Sequence, residues 1–234
     1  MKTLALGAIA AILSTSVWAQ TWQHSGQPAQ LIELFTSEGC SSCPPADKYL
    51  SQFASTKHLW QSVIPVAYHV DYWDYIGWKD KFAQPKFSQQ QRLYRAYGVT
   101  SGVYTPGFVV NGKEWRGFFN RTNRTLPENA VQAAGPLRLT KQKNVFHLSF
   151  DSQEKLTAHI VLLAMDEVTQ VARGENKGRQ LHHDFVALTK EQAIGKGDWT
   201  FEFSTLPNNA DAVAVWLTRE GEYHPVQTVA GPLE

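Results

Sequence analysis

Cys40 and Cys43 are the only two cysteines in this chain, and they stand on either side of Ser41-Ser42 directly behind an apolar run. That run, Gln30-Leu31-Ile32-Glu33-Leu34-Phe35-Thr36, predicts a buried strand closed by the turn residues Ser37-Glu38-Gly39. Beyond the cysteines, Tyr49, Leu50 and Phe53 recur at helical spacing, which predicts a helix from Ala46 to about His58. The order strand, Cys-x-x-Cys, helix brings both sulfurs to the carboxyl end of a strand and the start of a helix, where ligands of open α/β sheets gather. Unpaired backbone N–H groups and the helix dipole favour a thiolate there, and lower a Cys pKa from about 8.5 to roughly 3.5–7.5.

Three uses of such a pair compete. As a structural staple it is weak, because closing a ring of about four residues gives roughly 2 kcal/mol against about 3 for a 15-residue loop. As a zinc site it lacks partners, since no second Cys-x-x-Cys and no His-x₃₋₅-His follows. His69 is the candidate third ligand if the pair holds copper. Thiol-disulfide exchange fits the spacing best: Cys40 attacks a partner disulfide, and Cys43, one turn later, resolves the mixed disulfide.

Further along, Ser62 to Val70 predicts a second buried strand, followed by the aromatic stretch Asp71-Tyr72-Trp73-Asp74-Tyr75-Ile76-Gly77-Trp78 and a helix over Pro85 to Tyr97 capped by Gly98. Phe108-Val109-Val110, Asn111-Gly112 and Lys113 to Gly117 form a hairpin signal, because Asn-Gly accepts the positive φ angles of a type I′ turn. Leu126 to Ala134 predicts a closing helix. After Gly135-Pro136 the pattern turns to short strands at Val145–Phe150, Thr157–Ala164, Phe185–Leu188, Trp199–Phe203 and Ala212–Leu217. The expected fold is therefore α/β, a thioredoxin-like domain over residues 20–135 followed by a small β-sandwich-like domain over 136–234.

On that plan three segments converge on one sheet edge: the cysteines, His69 with Asp71, and Thr105-Pro106. Pro106, if cis, holds an extended backbone edge beside the sulfurs for a substrate peptide. Glu33, a carboxylate inside an apolar strand, is the candidate proton carrier for the resolving thiol if burial raises its pKa; the alternative is that it reaches solvent at a strand edge. His69 and Asp71, two apart, face one side of a strand, so Asp71 either orients the imidazole near the thiols or His69 is a satisfied structural residue. Trp73, with Tyr72, Tyr75 and Trp78, either covers the site or packs the core. Thr105, Trp73, His69 and Asp71 are the expected substrate contacts. Arg173-Gly174-Glu175-Asn176-Lys177-Gly178-Arg179 reads as a charged turn, or an anion or partner site. His182 and His183 point to opposite faces of a strand, which argues against a shared metal.

Met1-Lys2-Thr3, an apolar run from Leu4 to about Val17, and Val17-Trp18-Ala19 have the three parts of a secretory signal peptide, with cleavage expected after Ala19. Periplasmic or secreted location is the expectation, without membrane insertion after cleavage. Disulfides persist in such compartments. With 22 Lys and Arg against 21 Asp and Glu, no excess charge draws the chain to nucleic acid.

Leu31 to Pro45, His69 to Trp78, Tyr104 to Gly112 and Gly174 to Leu181 together resemble a family of exported bacterial proteins defined only as a domain of unknown function. Phe35-Thr36-Ser37-Glu38-Gly39-Cys40-Ser41-Ser42-Cys43-Pro44-Pro45 carries that resemblance, which implies a thioredoxin-like fold with a β-rich C-terminal part. Ser41-Ser42 departs from the dipeptide usual in thioredoxin, and Pro44-Pro45 removes two backbone donors, which predicts a late helix start. The expected activity is extracytoplasmic thiol-disulfide exchange with exported protein thiols or disulfides and a redox partner protein, without a cofactor or resident metal. The alternatives are a non-catalytic binding protein on the same scaffold and copper delivery through Cys40, Cys43 and His69.

Overall fold

The computed structural model describes residues 19–120 and 122–234. Residues 1–18, which carry the expected signal peptide, lie outside the described residues. No described helix is long and apolar enough to cross a membrane.

The protein is a mixed α/β molecule in which sheet dominates. In chain order the elements are β1 (Gln20–His24), β2 (Gln30–Thr36), α1 (Pro44–Ser51), β3 (Val63–His69), α2 (Pro85–Ala96), β4 (Gly107–Val110), β5 (Lys113–Glu114) and β6 (Leu137–Gln142). They continue with β7 (Val145–Phe150), β8 (Leu156–Ala164), β9 (Glu167–Gln170), β10 (Gln180–His183), β11 (Val186–Gly195), β12 (Asp198–Glu202), β13 (Ala212–Arg219) and β14 (Gln227–Pro232). Eight strands form one sheet in the order β14-β13-β8-β11-β3-β2-β4-β5. A four-stranded sheet, β1-β6-β7-β12, covers part of it, and β9-β10 is a separate hairpin.

The centre of the large sheet is parallel where β2 pairs with β3, and β4 runs antiparallel to β2, with Phe35 opposite Gly107. Every residue of β2 and β3 is buried, as expected of strands covered on both faces. Alternation then sorts side chains. Leu31 and Phe35 face Phe87 and Tyr94 of α2, whereas Ile32 and Leu34 face Ala46 and Leu50 of α1. β13 behaves likewise: Ala214 and Trp216 join the α2-side core, and Val215 and Leu217 meet Leu139 and Leu148 of the four-stranded sheet.

The expected division at residue 135 is not a sheet boundary. Ala67 of β3 donates its N–H to the Phe185 carbonyl at 2.8 Å, so β11 from the second half continues the sheet begun in the first. β1 in turn pairs with β6. The expected helix over Leu126–Ala134 does not form either; residues 123–136 are irregular. Tertiary hydrogen bonds hold that stretch open: the Pro127 carbonyl accepts from Gln30, and Asn129 joins Pro28, Gln27 and Asn111. The first helix begins at Pro44 rather than Ala46, because a proline at the first helical turn loses no hydrogen bond, and it tightens into a 3₁₀ turn at Gln52–Ser55. Asn111 and Gly112 turn the β4–β5 hairpin with φ of 47° and 74°.

Candidate functional site

Cys40 and Cys43 form a disulfide with their Cα atoms 5.4 Å apart. Cys43 is the N-cap of α1, and its carbonyl accepts the N–H groups of Ala46 and Asp47 at 2.8 and 3.1 Å. Pro44 and Pro45 occupy the first two helical positions, so this helix end offers the dipole but few unpaired N–H groups to a thiolate. The Ser42 hydroxyl lies 3.3 Å from Cys40 Sγ.

Two further segments reach this edge. The Thr105–Pro106 peptide bond is cis and directly precedes β4. The Trp73 indole donates to Thr105 Oγ1 at 2.7 Å, and a Cβ on Gly39 would meet Trp73 Cβ at 2.9 Å, so glycine at 39 admits the aromatic loop. Trp73 thus bridges the loop that carries the cysteines and Thr105, the residue before Pro106. Tyr75 of the same loop is exposed.

Two expected residues are elsewhere. Glu33 shares the α2 face of β2 with Leu31 and Phe35, opposite the face that carries α1. Its carboxylate accepts Tyr94 Oη at 2.9 Å and Gln90 Nε2 at 3.2 Å. Burial pushes its pKa up to about 7, against the opposing pull of Lys190 and these two hydrogen bonds. Strand parity removes it from the role of proton carrier to Cys43. Asp71 does not orient His69, because β3 ends at His69 and the Asp71 carboxylate turns to accept from the Ser88 hydroxyl.

His69 instead donates Nδ1–H to Asp80 Oδ2 at 2.7 Å, with both side chains buried. Asp80 also accepts from the N–H groups of Glu38 and Phe82, each at 2.9 Å. Burial alone lowers the His69 pKa, but the charge and hydrogen bond of Asp80, with Asp47 and Glu38 behind it, outweigh that and leave it raised. Asp80 is correspondingly held below the carboxylate range, its burial offset by His69 and the two N–H donors.

The next layer has no local sequence signal. His183 of β10 is buried, its ring centroid 4.9 Å from that of His69; its Nε2 lies 3.5 Å from Glu38 Oε1 and its Nδ1 3.9 Å from Asp47 Oδ2. Trp78 donates to the other Glu38 oxygen at 2.8 Å. Alternation correctly separates His182, exposed, from His183, buried, but nothing local identifies what His183 meets. Among the described residues no group of three or more His, Cys, Asp and Glu is arranged to hold a metal ion.

The charged segment at Arg173–Arg179 is a turn joining β9 to β10, and it lies over the cysteine loop. Asn176 Nδ2 donates to the Glu38 and Cys40 carbonyls at 2.8 and 2.9 Å, and Glu175 accepts the Ser41 N–H at 3.0 Å. Cys40 is 1% exposed and Cys43 0%. A cavity of about 450 Å³ opens beside the site between α1 and β10, lined among others by Pro44, Asp47, Ser51 and His183. A larger one, about 690 Å³, lies around Arg138 and Lys196, on strands remote from the cysteines.

These features define a mixed α/β protein with a paired-cysteine site at the carboxyl edge of its parallel strands. The chain belongs to the family described as protein of unknown function DUF1223, whose model matches residues 31–218. No curated protein matches it. A crystal structure of an Agrobacterium tumefaciens protein is similar, with 24% identity over 88% of this chain and 94% of that one and a TM-score of 0.60. HBP35 of Porphyromonas gingivalis is similar at 12% identity over 90% of this chain and 76% of that one, with a TM-score of 0.54. At these identities the likeness is one of fold.

Proposed function

We propose that this chain is a thiol-disulfide oxidoreductase acting outside the cytoplasm, on a scaffold that is thioredoxin-like through β2-α1-β3-α2-β4-β5 and extended by the later strands. The observation that carries the reading is the Cys40–Cys43 disulfide at the start of α1, linked to Thr105 through Trp73, which packs on Gly39 and donates to Thr105. In the reduced protein Cys40, beside the Ser42 hydroxyl, is the attacking thiolate. It forms a mixed disulfide with an exported protein, and Cys43 then closes the ring and releases the partner as a thiol. The backbone before Pro106 and the Trp73 ring form the surface on which an extended substrate peptide rests.

A second reading is favoured by the near-complete burial of Cys40 beneath the Glu175-Asn176 turn: a binding protein in which the disulfide only fixes the loop.

Equilibration in graded glutathione redox buffers, with alkylation and mass counting of free thiols, separates the two. Exchange chemistry predicts a potential between about −120 and −270 mV. A disulfide still oxidised below about −300 mV supports the binding protein and sinks the oxidoreductase.

A further inference from the structure

Among the described residues, five titratable side chains lie buried on the α1 side of the cysteine loop: Glu38 after β2, Asp47 in α1, His69 at the end of β3, Asp80 before α2 and His183 in β10, none more than 5% exposed. Asp80 is fully engaged by His69 and two backbone N–H groups. Asp47 and His183 are not. Neither oxygen of Asp47 and neither nitrogen of His183 has a hydrogen-bond partner closer than 3.5 Å among the described residues, although the two side chains face each other at 3.9 Å and the Thr36 hydroxyl lies beside the Asp47 carboxylate. Unpaired groups at this depth are costly, so their retention asks for a use.

Their position supplies one. Asp47 follows Cys43 by four residues on the buried face of α1, the spacing that makes helix side chains neighbours. Both Asp47 and His183 also line the 450 Å³ cavity, beside Lys48, Asp166 and Asp184. A buried thiol that must ionise, a carboxylate one turn away, an imidazole behind it and an opening to solvent stand in series.

We propose that Asp47, acting with His183, is the proton acceptor for the Cys43 thiol, and that the proton leaves through the cavity between α1 and β10. The assignment rests on the exchange reading. In the resolving step the Cys43 S–H bond breaks and its proton passes to Asp47. The Cys43 electron pair forms the bond to Cys40 Sγ, the bond from Cys40 to the substrate sulfur breaks, and that sulfur leaves as a thiolate and takes a proton from water. The hairpin of the second half of the chain thereby supplies an acid–base group to the dithiol of the first.

Two measurements test it. In a Cys40→Ser background, the Cys43 thiol is titrated by its ultraviolet thiolate absorbance with Asp47 present and with Asp47→Asn. Loss of the neighbouring carboxylate is expected to lower the Cys43 pKa by about one unit or more. In the two-cysteine protein, decay of the mixed disulfide formed with glutathione is followed across pH. Asp47→Asn is expected to slow it roughly 100-fold near neutrality, the usual worth of a general base, with recovery at alkaline pH and no change in the Cys40 attack rate. His183→Gln, should Asp47→Asn fail to fold, is expected to slow the same step and leave the attack unchanged. A reactive wild type whose titration and decay profiles match those of the variants overturns the role of Asp47 alone. A wild-type dithiol that never reacts with glutathione disulfide ends the exchange reading and this role with it.

Discussion

Glu33 sits in the middle of a strand whose every residue is buried, and it is 1% exposed itself. Its folded-state pKa of about 7 against an ordinary 4.5 means that folding binds this proton more tightly than the unfolded chain does. The corresponding stabilisation is complete below about pH 4.5 and is lost as pH rises through about 7, with a size on the order of 3 kcal/mol at 1.36 kcal/mol per unit. Lys190, which donates to Gln90 at 2.7 Å, works in a separate window: burial lowers its pKa to about 8, so its contribution is present above about pH 10.5 and fades as pH falls through 8. Glu33→Gln keeps an acceptor for Tyr94 and removes the ionisation. Urea denaturation from pH 4.5 to 7.5 is expected to show wild-type stability falling with pH and the variant's falling less by about 3 kcal/mol; parallel curves would mean that Glu33 is ionised in the folded protein throughout.

At the scale of elements, the β9–β10 turn is the part that no thiol-exchange argument would supply. The Asn176 side chain is 0% exposed and ties the Glu38 and Cys40 carbonyls to the turn, while its own oxygen accepts from Arg179 at 3.0 Å. Asn176→Ala leaves two carbonyls without that donor, at a cost of about 1–3 kcal/mol. The turn should then open more often, and reduction of the disulfide by dithiothreitol is expected to run several-fold faster, with amide exchange quickened between residues 171 and 180. An unchanged reduction rate would show that the turn does not govern access. The same contrast explains what the sequence could disclose. The strand, Cys-x-x-Cys and helix order and the Asn111-Gly112 hairpin are encoded by spacings of a few residues, and each is legible; that Thr105-Pro106 reaches the same sheet edge follows from the order and direction of the strands. Asp80 as the partner of His69, His183 facing Asp47 at 3.9 Å, and Asn176 over Cys40 join residues from 11 to 136 positions apart, and no local pattern marks them. Glu33 is ambiguous for a narrower reason: the sequence leaves open whether it is buried or reaches solvent at a strand edge, and the face it occupies depends on which strand parity meets α1.

The whole molecule folds around a sheet that no cut near residue 135 can divide cleanly. Removing residues 136–234 exposes the β3 edge that pairs with β11, and leaves β1 without β6. It also strips Val161, Leu163, Ala187, Ala214 and Trp216 from the core shared with Leu31, Phe35 and Tyr68. Each large apolar side chain so lost forfeits about 1.5–3 kcal/mol of burial, and a few such losses equal the 5–15 kcal/mol by which domains of this kind exceed their unfolded states. The site loses its turn, His183 and one wall of its cavity at the same stroke. A protein of residues 20–135 is therefore expected to show no cooperative thermal transition, while residues 20–234 melt in one transition whose calorimetric and van't Hoff enthalpies agree. Two resolved transitions in the longer protein, or a sharp one in the shorter, would show instead that the first half stands alone and that the later strands were added to a finished fold; the dithiol chemistry could then be studied without them, which the shared sheet and the position of His183 argue against.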